Sequence, residues 1–210
     1  MPDAKPKMVA FIRHGETPLH VGANRFCGDL NPELTATGRE QAARAGEMLP
    51  HIMPRVDAAW TSPRRRARLT ASIVLPHAEW QVFDDLRELA FGEWEGLTKE
   101  EAAARTPDAY RAWEEDAYRN GPPGGESGLQ AQPRIDRLID QLTYTPAEHI
   151  LLVSHITYLR LLIALLLDIP FSEARKRLDV EQGAIGLLEI SARKAKLRAL
   201  NLRMLVERKN

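Results

Sequence analysis

The chain has 210 residues, 44% of them hydrophobic and 28% charged, a balance that suits one globular domain with a sizeable core. Lysine plus arginine equals aspartate plus glutamate at 29 each, so the formal net charge is zero, which argues against a dedicated nucleic-acid binder with its basic excess. The single cysteine, Cys27, excludes an internal disulfide and a Cys-rich metal site.

The polar stretch Met1 to Lys7 leads straight into a short apolar run, with no segment suited to a signal peptide. The run Met8 to Ile12 reads as a central strand covered on both faces, and it ends abruptly in Arg13-His14-Gly15-Glu16-Thr17. Gly22 to Leu34, with its glycines, Asn31 and Pro32, reads as a loop. A helix is expected from the N-cap Thr35 to about Met48, burying Ala42, Ala45, Gly46 and Leu49 and closed by Pro50 and Pro54. A short strand follows near Ala58 to Thr61. Ser62-Pro63 then opens a helix from about Arg64 to Leu75, with Pro63 suited to the first helical position.

Trp80 to Phe83 reads as another strand. Thr98-Lys99-Glu100-Glu101 has capping-box spacing and Thr106-Pro107 resembles a second cap; the charged helices they start are expected outside the main core. Gly121-Pro122-Pro123-Gly124-Gly125 is the clearest break, followed by a helix from about Ser127 to Leu142. His149 to Ser154 is a strand, and His155 leads into an apolar helix to Leu167. The run from Leu159 to Leu167 contains Arg160 and is too short to span a bilayer, so no membrane partner is expected and the default compartment is the cytoplasm. Ala184 to Ile190 and Lys196 to Leu202 form a terminal hairpin turning at Ser191 to Lys194. Alternating strands and helices predict an α/β sandwich that binds ligands beyond the carboxyl ends of its strands.

Arg13-His14 and Ser154-His155 both fall at such ends. An isolated basic pair is an ordinary surface turn, but here two equivalent histidines and Arg66 converge at one edge of the sheet, beside helix N-termini. That combination attracts a phosphate dianion, and the planar fork of arginine binds two of its oxygens. A neutral imidazole nitrogen attacks phosphorus when the other nitrogen is held by a hydrogen bond, for which a carbonyl of Gly15-Glu16-Thr17 is at hand. A carboxylic acid must then protonate the leaving alkoxide, and Glu88, partly buried near Phe91 and Trp94, suits that role.

An ordered set of motifs extends this reading: Arg13-His14-Gly15-Glu16-Thr17, Arg25-Phe26-Cys27-Gly28, Leu34-Thr35-x-x-Gly38, and Ser62-Pro63-x-x-Arg66-Ala67-x-x-Thr70-Ala71. They continue with Glu88-x-x-Phe91-Gly92-x-Trp94-Glu95-Gly96, Gly125-Glu126-Ser127 and Val153-Ser154-His155. In this order they resemble the histidine phosphatase superfamily, the group of cofactor-dependent phosphoglycerate mutases and their phosphatase relatives. The resemblance implies a three-layer α/β/α sandwich with a mostly parallel central sheet, one domain over residues 1–210, and a small helical cap inserted at about 94–126. It implies that His14 becomes the phosphohistidine, that Arg13, Arg66 and His155 hold the transferring phosphoryl group, and that Glu88 is the general acid/base. His20, Arg25, Cys27, Gly28 and Ile156 complete the expected substrate and phosphate contacts, with no metal and no cofactor. His20 stands where the family commonly has asparagine, and Ile156 where it has glycine. Cys27 is not read as a nucleophile, and Arg64, Arg65 and Arg68 are expected to be solvated or paired while Arg66 faces the site.

The expected partner is a small phosphorylated metabolite, and a homodimer is left open. A phosphatase is favoured over a mutase, because Trp113 is followed by Glu114-Glu115 where the mutases carry paired arginines; two carboxylates there repel a multiply anionic phosphoglycerate. Three readings remain beside it: the mutase, a non-catalytic phospho-ligand binder, and a zinc hydrolase using His14, His20 and His155. The binder is expected to lack His14, Glu88 or His155, all of which are present. The zinc enzyme is disfavoured by the arginines, which repel a cation.

Overall fold

The computed structural model describes residues 6–204, so most of the polar lead Met1 to Lys7 lies outside the described residues. Strand β1, Lys7–Arg13, shows why the sheet is central. Its side chains alternate between two cores: Val9 and Phe11 enter one hydrophobic cluster, Ala10 and Ile12 the other. β2 (Ala58–Thr61), β3 (Trp80–Val82) and β4 (His149–Ser154) join it in the parallel part of the sheet. The antiparallel hairpin β5 (Ile185–Ser191) and β6 (Lys194–Leu202) completes six strands in the order β3-β2-β4-β1-β5-β6.

Helices α1 (Ala36–Ile52) and α2 (Arg65–Val74) pack on one face through Ala42, Ala45, Leu49, Ala67, Ala71 and Val74. The opposite face is covered by α5 (Gly128–Tyr144) and α6 (Ile156–Leu167), through Ile135, Leu138, Leu159 and Leu162. The result is a mixed α/β sandwich of three layers with a mostly parallel sheet. Among the described residues no helix is long and apolar enough to cross a membrane.

Local signals set most boundaries. Thr35 caps α1 by accepting the Gly38 N–H at 3.0 Å. The helix then runs past Met48 and through Pro50 to Ile52, further than the sequence suggests. Pro50 lies in the last turn, and Met53 N–H still closes onto the Leu49 carbonyl. Pro63 sits ahead of the α2 N-cap, Arg64, rather than inside the first turn, because Ser62 Oγ holds the Arg64 N–H at 3.2 Å and delays the helix. Ser127 forms a capping box with Gln130, absent from the motifs read in sequence.

Helix α3 (Lys99–Arg105) starts at the Thr98–Glu101 capping box, and α4 (Pro107–Glu115) follows after Thr106. Thr106 does not cap α4; its hydroxyl accepts the Trp94 Nε1–H at 2.8 Å and donates to the Ala102 carbonyl. These helices were expected outside the core, but Ala102 and Trp113 are buried in the larger cluster together with Trp94. Aromatic rings, rather than an amphipathic stripe, bring them in: Trp113 meets Phe26 and Trp94 edge to face at 5.5 and 5.4 Å. Helix α7, Phe171–Arg177, is a further element not foreseen in the sequence.

Candidate active site

Sheet register gathers the site. Arg13 pairs with Ser154, and Thr61 with Val153, so β1, β4 and β2 end almost level. The next residues, His14, His155 and Ser62, therefore emerge together. The His14 N–H donates to the Ser154 carbonyl and the Ser62 N–H to the Val153 carbonyl, both at 3.0 Å. The following turn is squeezed against α1: a Cβ on Gly15 would lie 2.3 Å from the Gly38 carbonyl oxygen, and one on Gly38 would lie 2.2 Å from that of Glu16. Only glycine at both positions permits this approach, which presses the His14 loop onto the start of α1. Thr70 Oγ1 takes the Gly15 N–H at 3.0 Å and secures the loop from the other side.

His14 is buried, and its tautomer follows from its neighbours. A carbonyl can only accept, so His14 Nδ1–H donates to the Gly15 oxygen at 2.7 Å. The lone pair is left on Nε2, which accepts from Arg66 Nε–H at 3.2 Å. Arg66 is fully buried on α2, and the rest of its fork donates to the carbonyls of Leu30, Cys27 and Gly28. The His155 ring centroid is 5.1 Å from that of His14, and that of His20 is 5.6 Å away. His155 Nε2 shares a 2.7 Å hydrogen bond with Ser62 Oγ, whereas its Nδ1 is buried with no partner among the described residues. Arg13 donates through NH1 to the Val180 carbonyl and keeps a buried Nε without a partner there.

Burial and positive neighbours keep these histidines neutral. Desolvation, then Arg66 and Arg13, holds the His14 pKa well below the ordinary histidine value. His155 is lowered in the same way, by burial first and then by Arg66 and His14. His20 falls to about 4 through burial and the same two arginines, with its Nδ1 accepting the Thr17 N–H at 3.3 Å. Burial lowers Arg13 to about 10, which leaves it cationic at neutral pH, and raises the Cys27 thiol to about 11.

Glu88 is buried in the loop after the short helical turn Asp84–Leu86. Its Oε1 accepts the N–H groups of Leu89 at 3.1 Å and Tyr158 at 2.9 Å, and its Oε2 accepts that of Thr157 at 3.1 Å. The start of α6, one of the helix N-termini expected to face phosphate, thus binds this carboxylate with two of its N–H groups. The surroundings of Glu88 are correspondingly more polar than the apolar neighbourhood of Phe91 and Trp94 read from the sequence.

A cavity of about 450 Å³ opens over this floor. Arg13, His14, His20, Arg25, Cys27, Glu88 and Ile156 line it, whereas Gly28 and the fully buried Arg66 and His155 do not. The N–H of Gly28 goes to Glu95 and its carbonyl to Arg66, so both of its backbone polar groups are spent inside the loop. Arg25 reaches across to Glu101 at 2.7 Å and the Gly96 carbonyl at 2.8 Å, tying the loop to the start of α3. Arg64 and Arg65 pair with Asp29 and Glu33, and Arg68 is exposed. The outer walls come from Lys99 of α3, Trp113 and Glu114 of α4, and Arg160, Arg175, Lys176 and Asp179 in and beside α6 and α7. Arg175 pairs with Glu114 at 2.9 Å and stacks over the Trp113 ring at 4.1 Å. Ser62 stands in a motif read from the sequence but was given no role in the site, and the cationic residues of α6 and α7 were not singled out because no motif marks them. Among the described residues no group of three or more His, Cys, Asp or Glu side chains is arranged to hold a metal ion.

A neutral histidine nitrogen held among arginines at the carboxyl edge of an α/β sheet defines a class of phosphate-handling enzyme. Residues 9–203 match the Histidine phosphatase superfamily (branch 1), and the chain belongs to it. It is 33% identical over 195 residues to the adenosylcobalamin/alpha-ribazole phosphatase of Escherichia coli (strain K12), covering 91% of this chain and 94% of that protein. To the glucosyl-3-phosphoglycerate phosphatase of Mycolicibacterium vanbaalenii it is 34% identical over 174 residues, 78% of this chain and 76% of the other. The crystal structure of the alpha-ribazole phosphatase from Shigella flexneri superposes with a TM-score of 0.82 at 32% identity, covering 95% and 99% of the two chains. The chain is accordingly an enzyme of the phosphatase type within that superfamily.

Proposed function

We propose that the protein hydrolyses small phosphomonoesters through a phosphohistidine on His14. The observation that carries this is the fixed tautomer: Nδ1–H is held by the Gly15 carbonyl, so the lone pair lies on Nε2, where Arg66 Nε–H occupies it until that donor turns to the phosphoryl oxygens. Nε2 attacks phosphorus, the ester P–O bond breaks, and Glu88 gives its proton to the departing oxygen. Water then attacks the phosphohistidine, Glu88 takes the proton of that water, and the P–N bond breaks. Oε1 of Glu88 already accepts two N–H groups and Oε2 only one, so Oε2 has room for the proton. The unpartnered Arg13 Nε is a donor for a phosphoryl oxygen, His155 Nδ1 joins it in the tautomer in which Ser62 Oγ–H donates to Nε2, and Arg66 supplies charge that the transition state requires.

The cavity wall favours a small anionic substrate: six cationic side chains line it against the carboxylates of Glu88, Glu114 and Asp179. The segment at about 94–126 acts as a cap that selects the alcohol part through Lys99, Trp113 and Glu114, and phosphorylated metabolites of the kind named for the relatives are the first to assay. Phosphate release from 4-nitrophenyl phosphate with EDTA present, wild type against His14→Ala, tests the proposal. Release that survives EDTA and disappears in the variant supports it. A variant that still turns over, or wild-type activity abolished by chelator, overturns it.

A further inference from the structure

Arg134 lies outside the cavity, on the buried face of α5, yet it touches the Glu88 segment from two sides. Its NH1 donates to the carbonyls of Asp85 at 3.0 Å and Arg87 at 2.7 Å, and its NH2 reaches the Glu88 carbonyl at 3.4 Å. The same NH2 pairs with Glu126 Oε2 at 3.2 Å. Glu126 in turn accepts the Ala90 N–H at 3.0 Å and pairs with Arg87 at 3.3 Å, so the chain is gripped on both sides of Glu88. The Arg134 guanidinium also sits 5.1 Å from the centre of the Tyr158 ring, and Tyr158 is the residue whose N–H holds Glu88 Oε1. Backbone and carboxylate of Glu88 are thereby referred to one buried, planar cation. No shorter or single-pointed side chain spans three carbonyls and a carboxylate at once.

We propose that Arg134, locked by Glu126, is a positioning residue that sets the aim of the Glu88 proton at the leaving group. The proposal rests on the reading of Glu88 as general acid. Its signature is dependence on the leaving group, because an acidic phenol departs without a proton and an alkoxide does not.

The experiment compares kcat/KM for 2,4-dinitrophenyl phosphate and 2-phenylethyl phosphate, a quantity that reports steps only through the first phosphoryl transfer. Glu88→Gln should lose at least about 100-fold more activity on the alkyl ester than on the dinitrophenyl ester. Arg134→Met and Glu126→Gln should show the same selectivity, with an excess loss of about 10–100-fold on the alkyl ester and Arg134→Lys in between. Near-ultraviolet circular dichroism checks folding; if Arg134→Met does not fold, Glu126→Gln and Arg134→Lys carry the comparison. Selective loss in Glu88→Gln alongside equal or absent losses in the other variants overturns the positioning role alone. Absence of selectivity in Glu88→Gln overturns the general acid itself, and the positioning role with it.

Discussion

Acidification should destabilise this protein before most of its carboxylates titrate, because three histidines are buried neutral in one place. The folded pKa values of His14, His20 and His155 lie below the unfolded value of about 6.5, with His20 at about 4. Below pH 6.5 the unfolded chain therefore binds protons that the folded chain refuses, and stability falls with falling pH over the window from about 6.5 to about 4. At pH 5.5 an unfolded histidine is about nine-tenths protonated, which favours unfolding by about 1.3 kcal/mol relative to pH 7 for a residue that stays neutral in the fold. For His20, with its folded value at about 4, nearly all of that applies, and His14 and His155 act in the same direction, against the ~5–15 kcal/mol that holds a domain together. Urea unfolding at pH 7.0, 6.2 and 5.5, with wild type beside His20→Asn, measures this directly. His20→Asn should remove ~1.3 kcal/mol of the pH dependence between pH 7 and 5.5. A wild-type stability that is flat across this range would refute the argument that burial and arginine charge keep these rings neutral.

Arg66→Lys keeps the charge but loses the fork, so kcat/KM should fall about 10²–10³-fold. Three carbonyls, those of Cys27 and Gly28 buried, then share one ammonium, at a cost of about 2–4 kcal/mol in guanidinium titration; an unchanged midpoint speaks against their dependence on Arg66. Gly15→Ala forces a methyl against the Gly38 carbonyl and should cost about 2–3 kcal/mol, lowering Tm by roughly 4–12 °C; a drop under 2 °C shows that the turn can relax. Arg175→Met removes the Glu114 pair and the stack on Trp113, and about 1–2 kcal/mol should go with them. A double cycle with Glu114→Gln that yields no coupling shows the pair to be ornamental.

The sequence by itself determined the alternation of strands and helices, because each element carries its own apolar period and its own stop signal: Met8 to Ile12 ends at Arg13, and Thr35 and Thr98 announce α1 and α3. It also picked out His14 and His155, since short motifs at strand ends place a side chain at the sheet's edge whatever the rest of the chain does, whereas Glu88, in a loop beyond the turn Asp84–Leu86, was pointed to by its motif and not by a strand end. Helices α3 and α4 were read as peripheral because their charges are local, whereas Trp94 and Trp113 bury against rings distant in sequence. Helix α7 and the cationic outer wall it brings likewise carry no motif. The clearest reversal is the start of α6, which the sequence offers to phosphate and the fold gives to Glu88, 69 and 70 positions away. Tertiary structure alone decided which donor meets which acceptor, as it did for Arg66 on His14 and for Arg134 around Glu88. The physical reason is that apolar periodicity is written in neighbouring residues, while a buried hydrogen bond depends on packing that brings distant segments within 3 Å and removes the competing water.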